Sequence, residues 1–333
     1  MTSEPLENII DGYGKELRRA MVDTDSEVRG TAITRDQRVP AEDLARSRWS
    51  LIEADSVLGR LWDRDVLAWD KYWVPVFRLF AKDLVKDASP KPGDVVLDLG
   101  TGTGVAALEA SASVRSRGLV VGIDRSEPMI AFAQRKANRV GFRNLRFLKM
   151  SDEGLRFPDE FFDVVISNCG MGTSTIAEDL KEVLRVLRPG GVLAFNDWHL
   201  IDVEPHRVFG DVLGKYRTRN PSQELTQERS ALAATESSHR SLNAEAQSQM
   251  ARSVGFREVR LKTRKYSVRM RGPQNYLDMR LCRATIKREM SEMLQTQREL
   301  FMEELKGRLR KFSSGRDFVF PWRVYFIRGR KAA

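Results

Sequence analysis

Hydrophobic and polar positions divide the chain into three stretches with different periodicities. Over residues 41–61 and 66–87, apolar residues recur at helical spacing, which predicts helices. Residues 94–198 alternate short apolar runs with amphipathic segments, as parallel sheets with covering helices do. The pattern predicts a helical extension over residues 1–93, with a polar loop at 23–40, then an α/β core over 94–198 and a mixed segment over 199–333.

The mixed segment is predicted to combine helices with the last strands of the sheet. Residues 199–251 are mainly helical with loops, whereas residues 256–268 and 322–328 have the composition of strands. Residues 276–312 predict one or two amphipathic helices that include Met290 and Met293. Packing against the core is the more common role of such a face, and a methionine-rich wall for an apolar acceptor is the alternative.

The most informative segment is the glycine-rich turn that follows the first apolar run of the core. Val95–Leu99 has the pattern of a buried strand, and Gly100, Gly102 and Gly104 follow at every second position before a helix that begins at Val105. Glycines let the backbone turn sharply and approach a ligand closely. A strand, glycine turn and helix in this order favour a nucleotide-like or amino-acid-bearing cofactor, and a tight turn without a ligand is the alternative.

An acidic residue follows the second apolar run at the spacing of a ribose ligand. Asp124 ends the run that begins at Leu119, about twenty residues after the glycines. A carboxylate there can accept hydrogen bonds from both ribose hydroxyls. Asp124 could instead cap the helix that begins at Glu127, but the spacing favours the ligand.

The spacing of the glycines separates the cofactor classes. A nicotinamide fold uses G-x-G-x-x-G, whereas this chain has G-x-G-x-G with Asp98 two residues before the first glycine. An acid beside the turn would repel a pyrophosphate but suits an ammonium group, and the Lys-Ser/Thr pair of a phosphate loop is absent from the turn. The pattern argues against NAD and ATP and favours S-adenosylmethionine.

At this point the sequence resembles the class I S-adenosylmethionine-dependent methyltransferases, and within them the ubiquinone/menaquinone C-methyltransferase type. The resemblance is specific from about Trp69 to Trp198, and its further motifs, in order, are Lys91–Asp94, Gly122–Met129, Leu155–Asp159, Phe162–Asn168 and Val186–Val192. It implies a Rossmann-like α/β fold, with a mostly parallel sheet and an antiparallel last strand. It also implies that the helical additions at both ends of the chain form a lid over the acceptor.

The resemblance further implies roles for individual residues. Asp98 holds the amino group of S-adenosylmethionine, and Asp124, with Arg125 beside it, lies at the ribose. The turn beneath the methionine portion consists of Gly100, Gly102, Thr103 and Gly104, and Met129 contacts the adenine. Asn168, at the end of the fourth strand, lies near the methionine portion. The aromatic residues Trp69 and Tyr72 either cap the cofactor or pack their helix.

One motif departs from the family pattern. After the third strand the family often has an acid or Asn followed by Ala, where this chain has Ser151 and Asp152. Either Ser151 faces the adenine amino group, or a shorter loop lets Asp152 do so, and we favour Asp152.

The chemistry implied is an in-line displacement at the methyl group of the sulfonium, with S-adenosylhomocysteine as the product. Placing the acceptor about 3–3.5 Å from the methyl and excluding water can supply much of the rate. A general base is needed only when the acceptor must lose a proton. The candidates are Asp197 and His199, although Asp197 could simply cap a turn and a lone surface histidine is often without function.

Cysteine and histidine usage restricts the cofactors and the compartment. The chain has 2 cysteines, Cys169 and Cys282, and 3 histidines, without metal-ligand spacing, so no metal is expected. Two cysteines are too few for the metalloid site of arsenite methyltransferases, which Ser167–Cys169 otherwise resembles. We expect a reducing, cytoplasmic location, because the N-terminus does not resemble a signal peptide and no apolar run is long enough to span a membrane.

Charge is concentrated at the C-terminal end. The net charge is +10, and the whole excess lies in residues 199–333, densest over Arg257–Arg271. This stretch is interpreted as a solvated face, as a peripheral contact with an anionic membrane, or, ranked last, as a nucleic-acid surface.

The sequence therefore predicts methyl transfer to a small, apolar or lipid-like acceptor. The alternatives are an RNA or protein methyltransferase that uses the basic C-terminal part, and a catalytically silent regulatory protein that binds S-adenosylmethionine. The oligomeric state is left open.

Overall fold

The fold was determined as a computed structural model that describes residues 57, 60, 61, 63–150, 154–171, 176–198, 202–241 and 243–333. The polar loop at 23–40 and most of the helix predicted over 41–61 lie outside the described residues. The helices are α1 (Val66–Tyr72), α2 (Val74–Ala88), α3 (Val105–Val114), α4 (Glu127–Val140), α5 (Ile176–Val186), α6 (Glu204–Tyr216), α7 (Gln223–Ser241), α8 (Ala244–Val254), α9 (Gly272–Leu281), α10 (Ala284–Glu292) and α11 (Gln295–Leu309). The strands are β1 (Val95–Leu99), β2 (Leu119–Asp124), β3 (Leu145–Lys149), β4 (Phe162–Asn168), β5 (Leu187–Asp197), β6 (Arg257–Met270), β7 (Ser313–Ser314) and β8 (Asp317–Arg330).

The strands form one sheet in the order β3-β2-β1-β4-β5-β8-β6, with the short β7 paired to β8. Strands β1 to β5 are parallel, β8 is antiparallel to β5, and β6 is antiparallel to β8. This confirms the predicted Rossmann-like α/β fold with an antiparallel last strand. The carboxyl ends of β1, β2, β4 and β5 meet at one edge, where open α/β sheets bind their ligands.

Both faces of the sheet are covered, which explains the continuous apolar runs of the central strands. All five residues of β1 are buried. One core lies on the side of α2 and α3 and includes Phe80 and Ala107, and the other lies on the side of α5 and includes Leu97 and Leu180. Successive side chains of β1 pack alternately into the two cores. The glycine turn at the end of β1 is therefore held in a fixed position.

The region predicted as one or two helices over 276–312 forms three. The chain becomes extended at Arg283 and at Met293, with ψ near 135° and 144°, so α9, α10 and α11 are separate. The apolar face of α11 is buried, and Phe301 meets Phe209 of α6 edge-on with ring centroids 5.7 Å apart. These contacts agree with the core-packing interpretation of this segment.

Among the helices that the structure describes, none is both long and apolar enough to cross a membrane.

Candidate cofactor and acceptor site

The glycine turn has a conformation that L side chains rarely adopt. Gly100, Gly102 and Gly104 have φ values of 61°, 54° and 83°. A Cβ on Gly100 would lie 2.6 Å from the Cα and carbonyl oxygen of Gly170, whereas a Cβ on Gly102 would meet no atom within 4 Å. The end of β1 thus touches the backbone that follows β4, and Gly170 is a site residue that the sequence analysis missed.

Asp98 lies beneath the turn and is only partly satisfied. Its Oδ2 accepts hydrogen bonds from Thr101 Oγ1 at 2.6 Å and from the Ala107 backbone N–H at 2.9 Å. Its Oδ1 is buried and has no hydrogen-bond partner among the described residues. Burial raises the pKa of the Asp98 carboxyl to about 7, although the two hydrogen bonds act in the opposite direction. An unpaired buried carboxylate oxygen is costly, so this atom suits a cationic ligand group.

Asp124 joins the glycine turn to the start of α4. Its Oδ2 accepts from the Gly102 N–H and its Oδ1 from the Ser126 N–H, both at 2.9 Å. Each carboxylate oxygen can accept a second hydrogen bond, so ribose hydroxyls can still bind here. Asp124 thus has a structural role at the start of α4, and it lies at the carboxyl end of β2, where the ribose was predicted.

The N-terminal helical extension contacts this site directly. Asp63 accepts a hydrogen bond from Ser126 Oγ at 2.6 Å. Asp70 of α1 accepts from Thr103 Oγ1 at 2.8 Å and from Lys136 Nζ at 2.6 Å. These two carboxylates hold the extension against the glycine turn and α4, and no sequence motif had identified them.

Other residues predicted to bind the cofactor lie around the same edge. Met129 is buried in the first turn of α4, while Arg125 is exposed beside Asp124. Trp69 stacks on Trp73 with ring centroids 5.3 Å apart, and Tyr72 packs against the same core. Ser151, Asp152 and His199 lie outside the described residues.

Polar side chains at the ends of β4 and β5 form a small network. The Asn196 amide donates to Asn168 Oδ1 at 2.9 Å, and the Cys169 thiol donates to Asn196 Oδ1 at 3.1 Å. Burial, with a contribution from Asp197, raises the pKa of the Cys169 thiol well above its usual range. Cys169 is therefore a neutral thiol and not an activated nucleophile.

Asp197 is engaged in the turn after β5. Its Oδ1 accepts from the Trp198 N–H at 2.7 Å, and its Oδ2 accepts from the Gln247 side chain at 3.3 Å. These contacts fit a turn cap, which the sequence analysis gave as the alternative to a catalytic role for Asp197.

An aromatic cluster adjoins the carboxyl ends of the strands. We use this name for six residues that come from α1, the junction of α1 and α2, α2, the residue after β5, α6 and β8: Trp69, Trp73, Phe77, Trp198, His206 and Trp322. Trp69 and Phe77 stack at 5.2 Å, Phe77 lies 6.4 Å from Trp198, and Trp198 meets Trp322 edge-on at 4.7 Å between ring centroids. Trp69 and Trp198 are half-buried, so the cluster presents aromatic surface beside the network of Asn168 and Cys169.

Two polar atoms inside the aromatic cluster are buried without partners among the described residues, namely His206 Nε2 and Trp322 Nε1. The other ring nitrogen of His206 lies 3.2 Å from the Tyr276 hydroxyl. Burial, and then the neighbouring Arg280, lower the pKa of His206 well below its usual range, so its imidazole is neutral at physiological pH.

The structure therefore brings together the glycine turn, Asp98, Asp124, Met129 and Asn168 at one edge of the sheet. The residues fit S-adenosylmethionine: an unpaired buried carboxylate oxygen suits its ammonium group, and the turn leaves no room for a β-carbon at Gly100. Among the described residues, no group of three or more His, Cys, Asp and Glu side chains could hold a metal ion.

Comparison with known proteins identifies relatives of the α/β core. Residues 90–254 match the family model described as a methyltransferase domain. The ubiquinone/menaquinone biosynthesis C-methyltransferase UbiE of Blochmanniella floridana is 30% identical over 127 residues, which are 38% of this chain and 50% of that protein. The 2-phytyl-1,4-naphtoquinone methyltransferase of Synechococcus elongatus is 35% identical over 124 residues, which are 37% of this chain and 53% of that protein.

Among solved structures, a putative methyltransferase from Bacillus halodurans C-125 has 20% sequence identity and a TM-score of 0.47, over 76% of this chain and 99% of that one.

The chain spans about half the length of the curated relatives it matches. Residues 90–254 constitute a class I S-adenosylmethionine-dependent methyltransferase domain. The domain is of the type found in the ubiquinone/menaquinone C-methyltransferases.

The pKa of Asp98 predicts that cofactor binding depends on pH. The ionised carboxylate pairs with the ammonium group, so affinity for S-adenosylmethionine should rise with pH, by up to about tenfold per pH unit below 7, and level off above it. The stability of the cofactor-free fold should change with pH in the opposite direction to the affinity. The raised pKa of Asp98 contributes stability at low pH, and this contribution is lost as pH rises through about 7. Calorimetry in buffers of different ionisation enthalpy should detect proton release on binding at pH 6.5.

The control for this prediction is Asp98→Asn, which keeps an oxygen for Thr101 and Ala107 but does not titrate. Its affinity should be weaker and independent of pH between 6 and 8. A wild-type protein with pH-independent affinity over this range would contradict the role of Asp98.

Proposed function

We propose that the protein transfers the methyl group of S-adenosylmethionine to a small, apolar or lipid-like acceptor with a flat ring. The observation that carries the proposal is the aromatic cluster at the carboxyl ends of β4 and β5, directly beside the cofactor-binding edge. Flat apolar rings stack favourably on Trp and Phe faces, and two of the tryptophans there are half-buried.

In this proposal the chain holds the cofactor through residues already positioned by the fold. Asp98 binds the amino group, Asp124 binds the ribose hydroxyls, and the glycine turn lies against the methionine portion. S-adenosylmethionine, when bound, supplies an electrophilic methyl group. Asp63 and Asp70 hold the N-terminal extension over this edge and help exclude water.

The aromatic cluster would orient the acceptor. Trp69, Phe77 and Trp198 form a continuous apolar wall next to Asn168, and orientation of an acceptor against such a wall contributes to rate by proximity. The names of the relatives support the choice of acceptor, because one refers to ubiquinone/menaquinone biosynthesis and another to 2-phytyl-1,4-naphtoquinone. Those similarities cover only part of each protein, and the aromatic cluster is the structural feature that favours a flat apolar acceptor.

A protic acceptor would need a base only if its proton leaves in the rate-limiting step. Asp197 and His199 remain the proposed candidates for this base, and Asp197 would have to release its contact with Gln247 in order to accept a proton.

We further propose a cytoplasmic location, since both cysteines are free thiols in the structure.

Trp198→Ala tests the acceptor assignment. Removing this half-buried ring should raise the KM for a naphthoquinol acceptor by about tenfold, the scale of losing one aromatic contact with its buried area. The dissociation constant for S-adenosylhomocysteine should stay within about twofold. Release of S-adenosylhomocysteine with a panel of flat apolar acceptors is the measurement.

The matched control is Phe142→Ala, which removes a half-buried ring just after α4, and it should leave the KM unchanged. An equal KM for Trp198→Ala and wild type across every accepted substrate would contradict the acceptor site. If the cofactor binds but no acceptor yields S-adenosylhomocysteine, the regulatory alternative is favoured. Methylation of RNA or protein that weakens steeply with salt would instead favour the macromolecular alternative.

A further inference from the structure

We propose a second binding site, for a phosphate group, in a cavity between the C-terminal end of α2 and strands β6 and β8. The cavity has a volume of about 360 Å³. Its lining combines four cationic side chains (Arg260, Lys262, Arg328, Arg330), two carboxylates (Asp87, Glu258) and a small apolar wall (Leu84, Ala194, Phe326, Ile327). The proposal is independent of the methyltransferase activity.

The cations in this cavity are held next to one another by the sheet register. Arg260 of β6 is directly opposite Arg328 of β8, and Arg257 is opposite Arg330. Like charges directly opposite on neighbouring strands destabilise a sheet. The fold therefore holds like charges side by side, and an anion bound between the guanidinium groups would offset their repulsion.

The available carboxylates compensate only part of this charge. Lys262 lies 3.3 Å from Asp87, which also pairs with Arg264 outside the cavity. Arg330 is 3.9 Å from Glu258, and Arg328 Nε donates to the backbone carbonyl oxygen of Asp87 at 3.1 Å.

The side chain of Arg260 makes no hydrogen bond or ion pair with the residues that the structure describes. The pKa of the Arg328 guanidinium is lowered mainly by burial, and to a smaller extent by the positive charges of Arg330 and Arg260. Arg260 and Arg328 are thus the two cations of the cavity that form no ion pair with a described carboxylate, unlike Lys262 and Arg330.

The cavity is distant from the glycine turn. Arg330 pairs with Val192 in the middle of β5, and the glycine turn follows β1, which is two strands away from β5 in the sheet. Along α2, from Val74 to Asp87, the distance is roughly 20 Å at 1.5 Å per residue. A ligand in this cavity would not contact the glycine turn.

The chemistry of the lining favours phosphate over other anions. Guanidinium groups present paired N–H donors that match phosphate oxygens, and charge-assisted bonds of this kind are strong. The adjacent apolar wall gives room for a short hydrocarbon or glycerol portion. The phosphate can come from a lipid headgroup or from a free phosphorylated metabolite, which share this chemistry.

Isothermal titration with inorganic pyrophosphate is the first measurement, on the full-length chain. The double variant Arg260→Gln/Arg328→Gln should bind at least tenfold more weakly than wild type, and Arg260→Gln alone, which disturbs no contact, about threefold to tenfold more weakly. The control Lys265→Gln/Arg310→Gln removes the same charge elsewhere, since Lys265 lies on the other face of β6 and Arg310 is exposed. It should stay within twofold of wild type.

The second measurement uses vesicles of phosphatidylcholine with and without phosphatidic acid. Sedimentation of wild type with the phosphatidic acid vesicles, and much weaker sedimentation of Arg260→Gln/Arg328→Gln, assigns the phosphate to a lipid. Pyrophosphate binding without sedimentation assigns it to a free ligand. No binding to either probe, or equal losses in the control variant, would overturn the proposal. Binding of tRNA that depends on Arg260 without any pyrophosphate binding would also overturn it, in favour of nucleic acid. Affinity for S-adenosylhomocysteine should be unchanged in all of these variants, which separates this test from that of the methyltransferase site.

Discussion

Gly100→Ala is expected to destabilise the fold by about 3 kcal/mol or more, a large effect for a single methyl group. The added Cβ would lie 2.6 Å from backbone atoms of Gly170, and neither β1 nor the chain after β4 can move without disturbing the buried sheet. A positive φ of 61° adds strain of about 1 kcal/mol. Urea denaturation followed by far-ultraviolet circular dichroism measures the loss as a lower midpoint.

Gly102→Ala is the matched control for this prediction. Gly102 has a similar φ of 54°, but its new Cβ would meet no atom within 4 Å. Only the conformational strain should remain, so the loss should be about 1 kcal/mol. Equal losses in the two variants would show that the contact between Gly100 and Gly170 does not matter.

The parts of the site that lie close together in the sequence could be predicted. The glycine turn, Asp98 and Asp124 stand at fixed distances from two apolar strands, and the order of strands and helices fixes the sheet topology. Local spacing was sufficient because these groups are placed by one strand, turn and helix unit.

Residues brought in from elsewhere could not be predicted in this way. Gly170 follows β4, and Asp63 and Asp70 belong to the N-terminal extension, yet all three contact the glycine turn or its neighbours. Their roles depend on tertiary packing, and their own sequence context shows only a glycine after a strand and carboxylates near a short helix. His199, Ser151 and Asp152 stay predictions because they lie outside the described residues.

The acceptor site was also beyond local patterns. The aromatic cluster combines residues as distant as Trp69 and Trp322, whereas the periodicity of residues 66–87 predicted only a helix. The Nε2 of His206, which has no partner among the described residues, is buried by elements that are far apart in the sequence.

Asp124→Ala is expected to weaken the binding of S-adenosylmethionine by about 1.5–3 kcal/mol, which is about 10- to 150-fold. The variant removes a charged acceptor for ribose hydroxyls and leaves the N–H groups of Gly102 and Ser126 without their carboxylate. The matched control is Glu127→Ala, which removes an exposed carboxylate three residues away and should leave affinity within about twofold. Calorimetric titration measures both.

The most direct test of the whole account is calorimetric titration of the full-length protein with S-adenosylhomocysteine, NADH and ATP. We expect S-adenosylhomocysteine to bind at one site per chain and to lose affinity in Asp124→Ala but not in Glu127→Ala, with no comparable binding of NADH or ATP. Absence of S-adenosylhomocysteine binding, tighter binding of NADH or ATP, or an unchanged affinity in Asp124→Ala would contradict the assignment of the glycine turn as the cofactor site.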